Sequence, residues 1–449
     1  MTLRGLLGGF LLIAAVAAAF VGWTRAEGDP PRISAPATAV VGGQGRDIEF
    51  TLEDPGMGLR LVRATLRHAG GEAALLEEPF AGDWMSGAGD GDAVRDVVVH
   101  VDPKALDLPD GDAFVEIEAR DWSWRDGFRG NRAEQVIEIS IDRKKPRIQV
   151  YTGLTYIQRG GSGIVTYSIS EPSTRDGVAV GDAFYPGYPH PGFADRRIAL
   201  YAVPTDAPDR PAVRIEAEDA AGNVGTGRWS VVVRERELPE ASVTLPESFL
   251  DQTVRDLAEA NGIDTSDLHA AFRTINTEMR SANEAQIRRA TADSAPTPLW
   301  NGPFSQLENS KVTSRFAERR TYFVGGVENS KAVHYGYDLA STSLAPITAA
   351  NAGRVVYADD LGIYGNCVLV DHGLGLATLY GHLSRIDVEV GDEVAKDQTL
   401  GLSGATGLAG GDHLHFAVLI GGTYVDPLEW WDPTWIRTHI DTHLASSSE

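Results

Sequence analysis

His334-Tyr335-Gly336-Tyr337-Asp338, Tyr380-Gly381-His382-Leu383 and His413-Leu414-His415-Phe416 decide how this 449-residue chain is read. Five of its 11 histidines (His334, His372, His382, His413, His415) fall within the 82 residues from 334 to 415, so chemistry is to be sought there. His334 and Asp338, four apart, share a face in a helix or a strand. His413 and His415, two apart, share a face in a strand and send Leu414 and Phe416 into a core. If the three segments are neighbouring strands, His334, Asp338, His382, His413 and His415 converge as five metal-competent or proton-transferring side chains. Catalytic zinc takes three nitrogen, oxygen or thiolate donors plus a water. The single cysteine leaves no Cys-based structural zinc site. A His-Glu-x-x-His helix is absent from the sequence.

At these residues the chain resembles the lysostaphin/LytM zinc metallopeptidases, which hydrolyse peptide cross-links in bacterial cell walls. That family carries a His-x-x-x-Asp pair, a later Tyr-x-His-Leu and a His-x-His strand. The likeness extends to Val312-Thr313-Ser314-Arg315-Phe316 with Arg319-Arg320, to Gly391-Asp392-Glu393-Val394, to the glycine-punctuated 401–407 and to Val425-Asp426-Pro427. It covers roughly residues 299–430. The resemblance implies that His334, Asp338 and His415 bind one Zn2+, while His382 and His413 stay off the metal. One of the latter is then the base toward water and the other stabilises the oxyanion; the sequence leaves open which. Three positions depart from the family pattern: Asp412 stands where proline is usual, Ala417 where glutamate is frequent and Ala317 where glycine is usual. Such neighbours tune ligand orientation rather than supply donors.

Each motif also has a plain reading. A lone His-x-x-x-Asp is commonly a surface pair and a lone His-x-His a strand feature; it is their joint occurrence that points to a metal. His372, in Val370-Asp371-His372-Gly373, reads as structural, at a hairpin turn. His439 and His443 lie in a polar tail after Trp435 and read as solvated. Cys367 alternates into a strand as a small buried hydrophobe.

The formal charge of −23 makes nucleic acid an improbable partner. Residues 5–23 form an uncharged apolar run behind Arg4, nearly long enough at about 1.5 Å per residue for a hydrocarbon core of about 30 Å. Residues 1–26 are therefore a signal-anchor or a cleavable signal, the length favouring an anchor, with small-residue cleavage sites at 17–19 and 24–26. The chain is expected in the periplasm or cell envelope, held in the inner membrane by residues 5–23.

Between them, 30–145 and 146–240 read as short strands with turns. Val115-Glu116-Ile117-Glu118-Ala119-Arg120-Asp121 returns 98 residues later as Val213-Arg214-Ile215-Glu216-Ala217-Glu218-Asp219, each followed by an asparagine (Asn131, Asn223) and another strand. This predicts two β-sandwich domains, and 218–223 looks like bacterial immunoglobulin-like modules, which serve as spacers or adhesion surfaces. Trp122, Trp124, Phe128 and the Tyr/Pro-rich 184–190 are either a glycan platform or loop packing, the latter preferred. Asp90 and Asp92 fit no established calcium loop. Leu250, Val254 and Leu257 repeat at helical spacing up to Asn261-Gly262, and Thr265 is the expected cap of a second helix carrying Leu268, Phe272, Ile275 and Met279. This helical hairpin, 246–294, joins the sandwiches to the enzyme and, as in some relatives, is a candidate to gate its cleft.

The expected architecture is thus multidomain and mainly β: an apolar N-terminal anchor, two Ig-like sandwiches, a helical hairpin, an antiparallel β-sheet LytM-like peptidase domain at 299–430 and a tail at 431–449. Its expected work is that of a zinc endopeptidase on the stem peptides of peptidoglycan, the D-alanyl to diaminopimelate bond being the likelier target. The rival is a non-catalytic envelope protein whose LytM-like domain activates an amidase.

Overall fold

The computed structural model describes residues 3–88 and 94–445; Asp90 and Asp92 lie outside the described residues. The chain is mainly β and divides into two compact units, Met1–Pro146 with Glu218–Val224, and Arg147–Ala217 with Gly225–Glu449.

The first unit opens with the helix Leu3–Arg25, whose segment Gly8–Arg25 is apolar enough to cross a membrane. A three-stranded sheet (Arg32–Ser34, Arg46–Glu53, Val94–Val101) and a five-stranded sheet ordered Thr38–Val41, Arg132–Ile141, Gly111–Asp121, Leu59–His68, Gly71–Pro79 follow. Strand alternation turns Ile48, Phe50 and Leu52 inward from one sheet and Val115, Ile117 and Ile139 from the other, and all are buried in one core. The Asp121 carboxylate accepts from Ser123 N, Asn131 N and Asn131 Nδ2. In the repeat, Asp219 accepts from Ala221 N, Asn223 N and Asn223 Nδ2. The sequence repeat is therefore an Asp–Asn clamp that closes the turn after the strand. Trp84, Trp122, Trp124 and Phe128 pack on one another, with ring centroids 5.2–5.8 Å apart in three pairs, as loop packing requires.

The second unit holds the remaining β-structure, the hairpin and the large C-terminal sheet around one continuous core. Ile148–Val150, Ser162–Ile169, Arg197–Ala202 and Tyr188–Pro189 form one four-stranded sheet; a second contains Ala183–Pro186, Arg175–Val180 and Val213–Glu218. This β-module is docked on the peptidase segment through groups more than 200 residues apart. Trp430 is fully buried and donates from Nε1 to Ser162 Oγ (3.0 Å), Glu429 accepts from Ser162 N (2.7 Å), and Tyr185 Oη donates to Thr423 (3.1 Å).

The hairpin runs Glu247–Ala260 and Leu268–Ala290, each arm containing a π-helical turn, Leu250–Val254 and Ile275–Met279. Asp267, not the expected Thr265, caps the second arm: its carboxylate accepts from His269 N and Ala270 N. The tail also differs from expectation. Its 433–444 segment is helical and buries Ile436 and Ile440, and His190 Nε2 lies 2.8 Å from the His443 carbonyl; His443 is half-buried, and the exposed His439 stacks on Trp435.

The large C-terminal sheet is antiparallel, in the order Lys311–Ser314, Tyr337–Ala340, Leu414–Ile420, Leu376–Leu383, Asn366–Gly373, Gly353–Asp360, Glu393–Val394, with Thr423–Val425 on Leu414–Ile420. A smaller sheet pairs Glu240–Leu245 (parallel) and Val327–His334 (antiparallel) with Glu318–Val324. Between 399 and 411 the glycines serve the chain's own packing. A Cβ on Gly401, Gly404 or Gly407 would come within 2.0–2.6 Å of backbone from 365, 384 or 385, whereas Gly410 and Gly411 face open space.

Candidate metal centre and its cleft

Sheet register assembles the site. His415 lies opposite Asp338 on one side and opposite Gly381, next to His382, on the other. His334 ends the strand Val327–His334, paired with Glu318. Asp338, His382 and His415 thus occupy adjacent strands, His334 comes from the end of the neighbouring sheet and His413 from the bridge to Gly404 just before Leu414, and all five side chains meet at one cavity of about 520 Å³.

His334 Nε2 lies 2.9 Å from Asp338 Oδ1 and 3.0 Å from His415 Nδ1, and His415 Nδ1 lies 2.9 Å from the same carboxylate oxygen. All three residues are buried. His334 Nδ1 faces the Arg315 carbonyl at 3.0 Å, which takes a proton only from an N–H. The tautomer this fixes leaves a lone pair on Nε2. Two imidazole nitrogens and a carboxylate oxygen thus lie within 3.0 Å of one another, a cluster held either by shared protons or by a cation that displaces them. Ligands on a tetrahedral ion with bonds of about 2.0–2.1 Å stand roughly 3.3 Å apart, close to these separations. The donor set fits a borderline-soft divalent metal, and His334, Asp338 and His415 would hold it.

Electrostatics agree. Burial alone would raise the Asp338 pKa, but the His334 charge and hydrogen bonds from His334, His413 and His415 hold it well below the carboxylate range. His415 is pushed down to about 4, chiefly by burial, and so presents a neutral ring. Gly336 is a requirement that its place inside the His-x-Gly-x-Asp motif signals: a Cβ there would lie 2.7 Å from the His415 ring and 2.6 Å from the Phe416 carbonyl.

His382 and His413 flank the cluster, with ring centroids 4.7 Å apart. His382 Nδ1 faces the Thr406 carbonyl (2.8 Å) and His413 Nδ1 the Gly411 carbonyl (2.8 Å), so each ring turns Nε2 toward the cleft. Burial, then repulsion from His413 and His415, pushes His382 down to about 3. His413 experiences burial too, but Asp338, 3.6 Å from its Nε2, carries its pKa above the ordinary value. His382 has φ = 64°, a left-handed backbone that is costly for a side chain of this size and typical of functional positions. Ala317, where the resembled family has glycine, is buried with φ = 61°.

His372 stands apart from the centre. It is fully buried, with Nδ1 2.7 Å from the Ala352 carbonyl and Nε2 2.8 Å from Thr378 Oγ1, and burial pushes it down to about 4. Cys367 is a buried free thiol. Arg320, of the Arg319-Arg320 pair in the family likeness, lines the cavity too, as do Arg280 and Tyr364, which the sequence did not single out. The hairpin supplies Phe249, Gln252, Thr253 and Phe272 to the same wall.

Residues 332–427 match the model of peptidase family M23. Over 119 residues the chain is 34% identical to the peptidoglycan DD-endopeptidase ShyA of Vibrio cholerae serotype O1, which is 26% of this chain and 27% of that protein. Over 123 residues it is 37% identical to ShyC of the same organism (27% and 28%), and over 130 residues 32% identical to the DD-carboxypeptidase/endopeptidase Mpg of Neisseria meningitidis serogroup B (29% and 30%). The chain spans less than a third of the length of these curated relatives. Among solved structures, a putative peptidase M23 from Pseudomonas aeruginosa aligns with 62% of this chain and 95% of its own, at 25% identity and a TM-score of 0.38. The motifs, their convergence in the sheet and the match over 332–427 together make this segment a peptidase family M23 domain of the lysostaphin/LytM kind.

Proposed function

We propose that the chain is a zinc-dependent endopeptidase that hydrolyses peptide cross-links of bacterial peptidoglycan, exported to the envelope and held in the inner membrane by its apolar N-terminal helix. The observation that carries this reading is the buried cluster of metal-competent atoms on His334, Asp338 and His415 with two further imidazoles turned toward the same cavity. The names of the relatives support the substrate class.

Zinc in that triad supplies Lewis acidity, polarising a carbonyl and lowering the pKa of water to about 7. The protein's own groups do the rest. His382, kept neutral by burial, offers Nε2 as the acceptor for the proton of the attacking water, its ring fixed by Thr406. His413, its Nδ1 facing the Gly411 carbonyl and its Nε2 turned to the same cleft, is assigned the carbonyl oxygen, to which its imidazolium offers an N–H as charge develops there. The water oxygen joins the carbonyl carbon, the C–N bond breaks, and the proton taken at His382 passes to the departing amine.

Purified full-length protein should contain about one zinc per chain and release cross-link fragments from isolated sacculi, read by mass spectrometry of the muropeptides. Metal-free protein that leaves cross-links intact after zinc is supplied ends this reading.

A further inference from the structure

In a chain with 63 acidic and 40 basic residues, the wall of the metal-site cavity has the opposite balance. Among its described lining residues Asp338 is the one carboxylate, and its charge belongs to the metal; Arg280 and Arg320 are the cations. Arg320 donates from Nε to Glu318 (2.8 Å) and lies 3.4 Å from Asp338 Oδ2, with its side chain 17% exposed. Arg280 makes no ion pair within 4.0 Å among the described residues. Instead Asn276, itself buried, holds it, accepting from Nη2 at its Oδ1 (2.8 Å) and from Nε at its carbonyl (3.3 Å). Asn276 is fixed in turn by Ser330 (3.0 Å). Glu284, one turn further along the helix, is engaged by Tyr364 Oη (2.7 Å).

Glu284 feels the Arg280 charge but lies outside ion-pair distance, so a half-buried guanidinium with no carboxylate in direct contact is left for an anion to complete, and one locked by a buried amide has its fork already oriented. We propose that Arg280 and Arg320 form a carboxylate-binding subsite beside the metal centre, so that the substrate bears a free carboxylate next to the scissile amide. This rests on the endopeptidase reading and narrows it. In a D-alanyl–diaminopimelate cross-link, the carbon attached to the amide nitrogen carries such a carboxylate. The interior of a glycine bridge does not. The chemistry therefore selects the diaminopimelate cross-link.

The test uses zinc-loaded full-length protein and two cross-linked muropeptide dimers, one with the diaminopimelate carboxylate free and one with it amidated. Arg280→Gln is the principal variant, because Arg280 does not touch the metal ligands; Arg280→Lys keeps the charge without the fork. Wild type should favour the free acid at least about tenfold in kcat/KM, mainly through KM, and in Arg280→Gln the ratio should collapse toward one with zinc content unchanged. Equal cleavage of both dimers by wild type, or a ratio that survives in Arg280→Gln, overturns the subsite while leaving the endopeptidase reading intact. If neither dimer is cleaved, that reading has failed, and calorimetry with free diaminopimelate decides the subsite by itself. Binding lost in Arg280→Gln sustains it, and no binding to wild type removes it.

Discussion

Glu429 offers a prediction whose size can be worked from the structure. It sits between Asp426 and the fully buried Trp430, where the peptidase segment docks on the β-module, and accepts from Ser162 N at 2.7 Å. Burial pushes its pKa from 4.5 up to about 8, with Asp426 adding to the rise and the Ser162 hydrogen bond opposing it. The folded protein then retains a proton that the unfolded chain has released. The associated stability is complete below pH 4.5 and is lost as pH rises through about 8. At about 1.4 kcal/mol per pH unit the ceiling is ~5 kcal/mol, and water reaching a half-buried carboxylate reduces this to ~2–3 kcal/mol. Glu429→Gln retains the acceptor for Ser162 N but cannot ionise. Its melting temperature should match wild type at pH 5 and exceed it by roughly 5–10 °C at pH 9, taking about 2–4 °C per kcal/mol for a unit of this size. The melt is followed by tryptophan fluorescence, to which the buried Trp430 contributes among the nine tryptophans of the chain. A gap that is the same at both pH values would show that Glu429 is ionised throughout and that the docking face is wet.

Other consequences follow from the metal centre and its surroundings. Asp338→Ala and His415→Ala should each lose both bound zinc, by elemental analysis, and at least a thousandfold in turnover. His382→Ala and His413→Ala should keep most of the zinc and lose about 10²–10⁴-fold in turnover, and retained turnover in either would remove its assigned proton or hydrogen-bond role. Chelation should lower the melting temperature of wild type but not of Asp338→Ala, because a metal at a thousand times its Kd adds ~4 kcal/mol to the folded state. His372, depressed to about 4, contributes stability that is present above pH 6.5 and lost as pH falls toward 4; His372→Gln should flatten that acid limb in a pH series of melts.

What could be read from the sequence was whatever local spacing enforces. Two residues apart on a strand means one face, so His413 and His415 were bound to point together. The pairing of Tyr337–Ala340, Leu414–Ile420 and Leu376–Leu383 then carries Asp338 and His382 to that face. The repeat at 115–121 and 213–219 was legible as strands, though its clamp of aspartate on asparagine needed coordinates to be seen. The choice of Asp267 over Thr265 as cap turned on where the first helical N–H groups fall, a shift of two residues that hydrophobic periodicity does not resolve. The docking of Trp430 on Ser162 and the burial of Ile436 and Ile440 join residues with no local pattern in common, so the tail read as polar and free.

Arg280 illustrates why the remainder stayed hidden, and what it adds. In sequence it is one cation on an exposed-looking helical arm, four residues after an asparagine, and such pairs commonly lie on solvated faces. Only the fold turns that arm toward the metal centre, placing Asn276 in the core and the guanidinium in the cavity wall. The strands bring Asp338, His382 and His415 together, with His413 immediately before Leu414–Ile420. The hairpin reaches the same cavity from a segment outside the 332–427 family match, and is in a position to decide which peptide is admitted. On the proposed reading, Arg280 on the hairpin and Arg320 on the strand Glu318–Val324 both lie outside 332–427, so Arg280→Gln should alter substrate preference while the metal ligands stay in place.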